Sequence, residues 1–537
     1  MSYFPLVISS LLDHAATCHG ETEIVTRLVE GGLHRSTYRA VHRRARQVAQ
    51  ALRALGVVPG DRIGTLAWNT HRHFELCYGV AGCGAVWHTL NPRLFRDQIV
   101  YIINHAQDRC VFFDLTFLPL VDAVAPLCPQ VATWVAMTDA DHRPRQRPDI
   151  LCYETMLEEQ DGDFAWPALD ELSAAGLCYT SGTTGNPKGV LYSHRSTVLH
   201  AYAISLPDTF GFAARDVVMP VAPMYHANAW GLPYAAPLVG AKLVLPGPAL
   251  DGHSLWELCE KEGVTFSNGV PTIWQSLLDF LRESGQRLRL PHRSLIGGAA
   301  PSPSLLAALE DEYGVELRHG WGMTEISPVG LVNVPKTAET AEQKSRRRVK
   351  QGRPVPGIEV KIVDEQGADL PWDGSSFGCL LVRGHWVCSA YFAERADIFR
   401  DGGWLVTGDM ATIDRDGYVQ IVDRAKDIIK SGGEWISSVD LENLACGHPE
   451  VQEAAAIGVP DEKWGERPLL IVVRRPGGLL DGPGMIEHLR GRVAKWWLPD
   501  RVLFVPSLPR TATGKISKAR LRADYAAPAA GPGPTVA

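Results

Sequence analysis

Residues 179–189 read Tyr179-Thr180-Ser181-Gly182-Thr183-Thr184-Gly185-Asn186-Pro187-Lys188-Gly189 and directly follow the apolar run 175–178. Four small hydroxyls, three glycines and one lysine stand in eleven residues. Glycines let backbone N–H groups come close to phosphate oxygens, hydroxyls donate to them, and a lysine adds a point charge. The stretch therefore reads as a phosphate-binding loop on an α/β layer. It is not a Walker A loop, because Pro187 precedes Lys188 and no Gly-Lys-Ser/Thr follows; a P-loop NTPase is excluded on that ground.

The flanking sequence supports layered α/β structure. Val41, Ala45, Val48, Ala49, Leu52 and Leu55 recur at helical spacing before Gly56. A Pro59-Gly60-Asp61 turn then leads into a strand predicted over 62–68, and the short apolar runs 111–113 and 133–136 read as further buried strands. Helix and strand patterns alternating through about 400 residues imply parallel sheets. Between about 352 and 422 the pattern changes to short strands separated by Asp373-Gly374, Asp401-Gly402 and Asp416-Gly417, which suggests antiparallel or barrel-like β structure. Strands over 454–459, 469–473 and 502–505 with a helix over 484–497 then predict a compact α+β part. The Ala/Gly/Pro-rich residues 526–537 are expected to be a disordered tail. The domains expected are 1–422, a hinge at 423, and 424–525.

Composition is close to that of an ordinary soluble globular protein. The 537 residues are 45% hydrophobic and 21% charged, which excludes global disorder, and their length implies about three to four structural units. Net charge is −7, yet residues 424–537 carry 16 Lys and Arg against 13 Asp and Glu. So small an excess gives no reason to expect nucleic acid, but it allows a polyanionic small molecule near the C-terminal part. The 11 cysteines are scattered without a C-x-x-C pair, so buried reduced thiols in a cytoplasmic protein are expected. No secretory leader and no membrane-spanning run are expected.

Four more stretches match the first in kind: Gly320-Trp321-Gly322-Met323-Thr324-Glu325; Trp404-Leu405-Val406-Thr407-Gly408-Asp409; the run from Asp423-Arg424-Ala425-Lys426 to Lys430-Ser431-Gly432-Gly433-Glu434; and Pro509-Arg510-Thr511-Ala512-Thr513-Gly514-Lys515. Together, in this order, the five resemble the motifs of the adenylate-forming superfamily of acyl-CoA synthetases, peptide-synthetase adenylation domains and luciferases. The run Pro223-Met224-Tyr225-His226-Ala227-Asn228-Ala229-Trp230 and the segment 431–443 look most like bacterial medium-chain fatty-acyl-CoA ligases and 3-methylthiopropionyl-CoA ligases. Ala227 departs from that branch, where Val is commoner.

The resemblance implies a large N-terminal domain of two α/β lobes and a distorted β-barrel, followed by a small mobile α+β domain. It implies ATP, Mg²⁺ and coenzyme A, with a carboxylic acid activated to acyl-AMP and then passed to the CoA thiol. Lys515 becomes the adenylation lysine, and Glu325 and Thr184 the magnesium ligands. Thr180, Ser181, Gly182, Thr183, Thr184, Gly185 and Lys188 cradle phosphate. Gly320, Trp321, Gly322, Met323 and Thr324 face adenine, Asp409 holds ribose, and Arg424, Lys426, Lys430 and Trp435 lie on the nucleotide side. His226 sits beside the acyl carboxylate and Trp230 gates an acyl pocket walled by Val270, Gly297, Gly298 and Ala299. Ser431, Gly432, Gly433 and Glu434 line the CoA path once the small domain has swung about Asp423. His226 and Trp230, four apart, would share one face of a helix.

No carrier domain is expected after Lys515, which favours CoA as acceptor, and the branch includes homodimers. The basic run 344–350 reads as a solvated loop, with contact to CoA or a membrane surface as the alternative. Other readings are a 3-methylthiopropionate- or aryl-acid-CoA ligase, or a catalytically silent acyl-binding protein; the motifs do not separate a luciferase-type oxygenase. Lys515→Ala is expected to slow adenylation by at least about 10²–10³-fold, as for loss of one transition-state donor, measured by ATP–pyrophosphate exchange.

Overall fold

The computed structural model describes residues 4–180, 186–289, 291–336, 338–394, 398–432, 434–510 and 516–525. Its chain divides into two compact units. One comprises Met1–Pro301, Leu305–Glu359 and Val382–Leu405; the other comprises Ser302–Ser304, Val360–Leu381 and Val406–Ala537.

Two sheets build the first unit. In the seven-stranded sheet the order is Leu151–Cys152, Thr133–Ala136, Asp108–Phe113, Arg62–Leu66, Val86–Thr89, Ala174–Tyr179 and Gly189–Ser193. All neighbours are parallel except the last pair, an antiparallel hairpin at the edge. The nine-stranded sheet has a parallel centre running from Glu316–Gly322 through Arg293–Ile296, Phe266–Gly269, Val217–Pro220 and Lys242–Leu245 to Glu23–Arg27. Antiparallel strands close both of its edges. Parallel strands need crossovers, and helices supply them. The helix Tyr38–Ala54 instead links the nine-stranded sheet to the seven-stranded one: Thr37 caps it by accepting from the Ala40 N–H, and Val41, Ala45, Val48, Ala49 and Leu52 are buried as the 3.6-residue period requires.

Asn69 joins the two sheets. Its amide donates to the Pro220 and Ala222 carbonyls at 2.7 and 2.9 Å and its oxygen accepts from the Met224 N–H at 2.7 Å. It lies just beyond the strand Arg62–Leu66, where the order of the seven-stranded sheet reverses. Ligand crevices form outside the carboxyl ends of strands at such a point.

The strand-turn region forms a five-stranded sheet from Ile358–Val363, Phe377–Gly384, Trp404–Ile413 and Phe399–Arg400, with Val419–Arg424 pairing to Trp404–Ile413. In the second unit, the long hairpin Val451–Asp461 and Gly465–Arg474 anchors another five-stranded sheet. The helix Ser438–Cys446 buries Leu441 and Ala445 in a core shared with Ile429, Val472 and Met485.

Two sequence expectations need correction. The helix anticipated over 484–497 covers only Gly482–Leu489; Gly491 takes φ 75°, and a separate 3₁₀ turn comes at Lys495–Trp497. The basic run is no solvated loop. It lies in the helix Ala341–Arg348, started by a capping box between Thr340 and Gln343. Lys344 pairs with Glu310 at 2.9 Å, Arg346 with Glu342 at 2.5 Å, Arg347 with Glu339 at 2.7 Å, and Arg348 with Glu310 and Asp311 at 3.3 Å. These charges are matched within the protein, which removes the reason for assigning them to CoA or a membrane. All eleven cysteines are free, and among the described residues no helix is long and apolar enough to cross a membrane.

Asp114, at the carboxyl end of Asp108–Phe113, is 1% exposed and accepts from the Trp68 N–H at 2.7 Å. Burial pushes its carboxyl up to about 7. Between the unfolded pKa near 4 and that value, the folded chain holds the proton more tightly. Stability therefore falls with rising pH there, by at most about 1.4 kcal/mol per unit. Asp114→Asn keeps an acceptor for Trp68 and is expected to gain thermal stability relative to the parent between pH 5 and 8. A pH-independent difference in Tm would show the group ionised throughout.

Candidate active site

The edge hairpin Ala174–Tyr179 and Gly189–Ser193 presents the hydroxyl-rich loop. Tyr179 pairs with Gly189, and one step further the Thr180 N–H donates to the Lys188 carbonyl at 2.9 Å while Thr180 Oγ1 accepts from the Lys188 N–H at 3.2 Å. The base of the loop is thus pinched shut. Ser181, Gly182, Thr183, Thr184 and Gly185 lie outside the described residues.

Lys188 is drawn toward Tyr391. Its Nζ lies 4.9 Å from the ring centroid, within cation–π range. The Tyr391 hydroxyl donates to Glu325 Oε1 at 2.6 Å. Burial, reinforced by Glu325, raises the Tyr391 pKa well above its ordinary value, so the phenol stays a donor. Glu325 is 6% exposed. Its neighbours are held by two further bonds: the Tyr192 hydroxyl donates to the Thr324 carbonyl at 2.8 Å, and the Cys388 N–H donates to the Glu325 carbonyl at 2.8 Å. Among the described residues Glu325 has no ion pair. A buried carboxylate without a counter-charge is costly and suits a hard cation that brings its own phosphate oxygens. The donor set therefore fits Mg²⁺, with Glu325 as the described ligand. Tyr391 escaped the sequence reading because Ser-Ala-Tyr-Phe carries no spacing that marks it.

Gly320, Trp321 and Gly322 end the strand Glu316–Gly322, with Met323 and Thr324 just after it. The Trp321 indole lies against Gly330, where an added Cβ would come within 3.0 Å of it. Trp230, Val270, Gly297 and Gly298 come together. A Cβ on Gly298 would stand 3.2 Å from Val270 and 3.7 Å from Trp230, and one on Gly297 would stand 2.7 Å from the Gly320 carbonyl oxygen. Ala299 lies exposed beyond them.

The shared helical face expected for His226 and Trp230 is absent. Ala227, Asn228, Ala229 and Trp230 take φ of 42°, 45°, 50° and 59°, a left-handed turn that reverses the sense of rotation on which the i, i+4 argument rests. Left-handed backbone costs roughly 1–2 kcal/mol per L-residue. Surrounding bonds hold it. Asn228 donates to the Met224 carbonyl at 3.2 Å, Asn268 donates to the Ala229 carbonyl at 3.0 Å, and the Tyr234 hydroxyl donates to Asn228 Oδ1 at 3.4 Å. Asn228 also reaches Cys178 Sγ at 3.6 Å, which links the turn to the hairpin strand.

In the second unit, Asp409 and Arg424 face each other across paired strands and form an ion pair at 2.7 Å, with Asp409 2% exposed. Lys430 stands opposite Trp435, its Nζ 4.9 Å from the ring, and Phe377 meets the same indole edge-on. Lys426 is exposed on the turn between strands. Ser431 pairs with Glu434 across a hairpin whose Gly432 takes φ 62°; a Cβ there would meet the Trp464 ring at 2.7 Å. Arg467 donates to Ser431 Oγ at 3.2 Å. Gly433 and Lys515 lie outside the described residues.

Asp423 is buried and fully engaged. Its Oδ1 accepts from the Arg424 N–H at 2.7 Å, and its Oδ2 accepts from the Ser438 N–H and hydroxyl at 2.7 and 2.6 Å. Lys518 donates to Ser438 Oγ at 2.5 Å and pairs with Glu442 at 2.7 Å. Burial opposes the ammonium charge, but the Glu442 and Asp423 carboxylates outweigh it and raise the Lys518 pKa. This network joins Lys518 to residues 76 to 95 positions earlier in the chain and left no local sign in the sequence.

Layers and sites of this kind define an adenylate-forming enzyme architecture. Residues 12–392 match the model described as AMP-binding enzyme, and residues 440–515 match its C-terminal domain. The chain belongs to the AMP-binding enzyme family. It is 51% identical over 525 residues to a 3-methylmercaptopropionyl-CoA ligase of Ruegeria lacuscaerulensis, 97% of both chains being covered. It is 49% identical over 524 residues to a medium-chain-fatty-acid–CoA ligase of Ectopseudomonas oleovorans, covering 97% of this chain and 96% of that one. A crystal structure of an anthranilate CoA ligase in complex with anthranoyl-AMP superposes with a TM-score of 0.86 at 26% identity, covering 97% and 98%.

Tyr391→Phe removes the donor to Glu325 while keeping the ring under Lys188. Losing a hydrogen bond to a charged group costs about 1.5–3 kcal/mol. Adenylation is accordingly expected to slow about 10–100-fold, with more Mg²⁺ needed for half-maximal rate; an unchanged magnesium dependence would detach Tyr391 from the metal site.

Proposed function

We propose that the chain is an ATP-dependent acyl-CoA ligase acting on a medium-chain fatty acid. The observation that carries this reading is the buried Glu325 carboxylate, held by Tyr391 and linked through that ring to Lys188 at the base of the hydroxyl-rich hairpin. Family membership and half-identity to CoA ligases support it.

In the first half-reaction a carboxylate oxygen attacks the α-phosphorus of ATP and the bond to pyrophosphate breaks, leaving acyl-AMP. In the second, the CoA sulfur attacks the acyl carbon, the thiol proton is lost, and AMP leaves. The first step spreads charge over phosphate oxygens, so catalysis rests on positioning and charge stabilisation. Lys515 bridges carboxylate and α-phosphate. Thr180 to Gly185 and Lys188 cradle the phosphates, and Glu325 with Thr184 would hold Mg²⁺, which offsets phosphate charge. Residues 320–324 receive adenine. Asp409 takes the ribose hydroxyls, oriented by Arg424, with Lys426, Lys430 and Trp435 nearby. His226 meets the carboxylate, and Trp230, Val270, Gly297, Gly298 and Ala299 receive the chain.

Domain alternation about Asp423, with 1–422 and 424–525 as the moving parts and Ser431 to Glu434 along the CoA path, completes the proposal. A cytoplasmic homodimer belongs to the same reading. A 3-methylthiopropionate ligase is the second reading, favoured by the 51% identity to a ligase named for that acid. Hydroxylamine trapping over acetate to palmitate, 3-methylthiopropionate and aryl acids tests both. The highest kcat/KM is expected among medium-chain acids. A maximum at 3-methylthiopropionate would replace the acid, and no turnover with any acid would remove the ligase reading.

A further inference from the structure

The helix Lys518–Tyr525 begins three residues after Lys515 in the chain, and it carries two cations one turn apart, Lys518 and Arg522. Both reach back to the segment around Asp423. The Lys518 side chain is 12% exposed and ends between Ser438 Oγ at 2.5 Å and Glu442 at 2.7 Å. The Ser438 hydroxyl donates its own proton to Asp423 Oδ2, 2.6 Å away. Glu442 is held in turn by the Ala456 N–H at 2.8 Å. One turn along, Arg522 pairs with the buried Asp427 at 2.6 Å. Glu442 and Asp427 are thus each fixed by a cation of the last helix, and Asp423 by a hydroxyl that such a cation touches.

An exposed lysine pair would mean little. A lysine buried at a serine–carboxylate junction is different, because removing it leaves the Glu442 carboxylate without its cation and takes the charge away from the Ser438 hydroxyl that holds Asp423. Position is what such a junction fixes. The side chain of Asp423 is bound to the Arg424 N–H and to the start of the helix Ser438–Cys446, so Asp423 moves with that helix.

We propose that Lys518 is a positioning residue for adenylation: it locks the final helix to Asp423 through Ser438 and Glu442, and so sets where the preceding Lys515 is delivered. Arg522 is the second point of the same lock. Lys518 touches no reacting atom. The inference rests on the ligase reading, in which Lys515 serves the first half-reaction only.

The test compares Lys518→Met, Lys518→Arg and Lys518→Met/Glu442→Gln with the parent. Two assays are run: ATP–pyrophosphate exchange with the best acid, and thioester formation from acyl-adenylate supplied directly with CoA. Lys518→Met is expected to lower exchange kcat by about tenfold or more at little-changed KM for ATP, since misplacing a catalytic group by an ångström costs up to about 100-fold. Thioester formation should stay within about threefold, because that step does not use Lys515. Lys518→Arg should recover most of the exchange. The double variant removes both buried charges, so it should recover thermal stability without recovering exchange. Exchange equal to the parent, or equal loss in both assays, would overturn the proposal. A parent with no exchange for any acid would instead sink the ligase reading itself, and the two failures are told apart by the parent alone.

Discussion

A buried carboxylate with no ion-pair partner among the described residues is the constraint around which the first unit is arranged. Glu325 sits just past the end of a central strand of one sheet, and its donor, Tyr391, belongs to a distant stretch of chain. The ring of Tyr391 lies under Lys188, whose backbone pinches the hairpin edging the other sheet. Three segments far apart in sequence therefore meet at one charge. Asn69 makes this meeting geometrically firm, because it ties the two sheets at the carboxyl end of the strand where the smaller one reverses. The Tyr192 hydroxyl on the Thr324 carbonyl ties the hairpin to the Glu325 segment directly.

The second unit solves a different problem with the same means. Asp409 and Arg424 are neighbours across two strands, so register alone brings them together. Asp423, the next residue back along the chain, turns its carboxylate the other way and places it at the start of a helix, where backbone N–H groups want an anion. Adjacent residues on a strand point to opposite sides. This alternation lets one dipeptide serve the ion pair with Asp409 through Arg424 and a structural cap through Asp423.

Much of this was legible in the sequence because it is local. Strands at 133–136 and 111–113, the helix ending before Gly56, and the turn-rich β region come from period and punctuation, and the five motifs drew the resemblance. The readings that failed depended on backbone sense or on distant partners. Nothing in Ala-Asn-Ala-Trp announces a left-handed turn, since Ala there obeys neighbours such as Asn268 rather than its own preference. The basic run 344–350 read as a solvated loop because two of its acids, Glu310 and Asp311, stand more than thirty positions earlier. Tyr391 and Lys518 were invisible for the same reason: each acquires meaning only from a carboxylate that the fold delivers.

The left-handed turn at 227–230 also limits how the space beside Trp230 can vary. Branched side chains are hard to seat on such backbone, so this wall offers few sizes. Val270, at φ −83°, carries no such restriction, whereas Gly298, at φ 78°, shares it, and a Cβ there would stand only 3.2 Å from Val270. Change in the space beside Trp230 should therefore run through the Val270 side chain, while the turn bearing Trp230 stays nearly constant in shape.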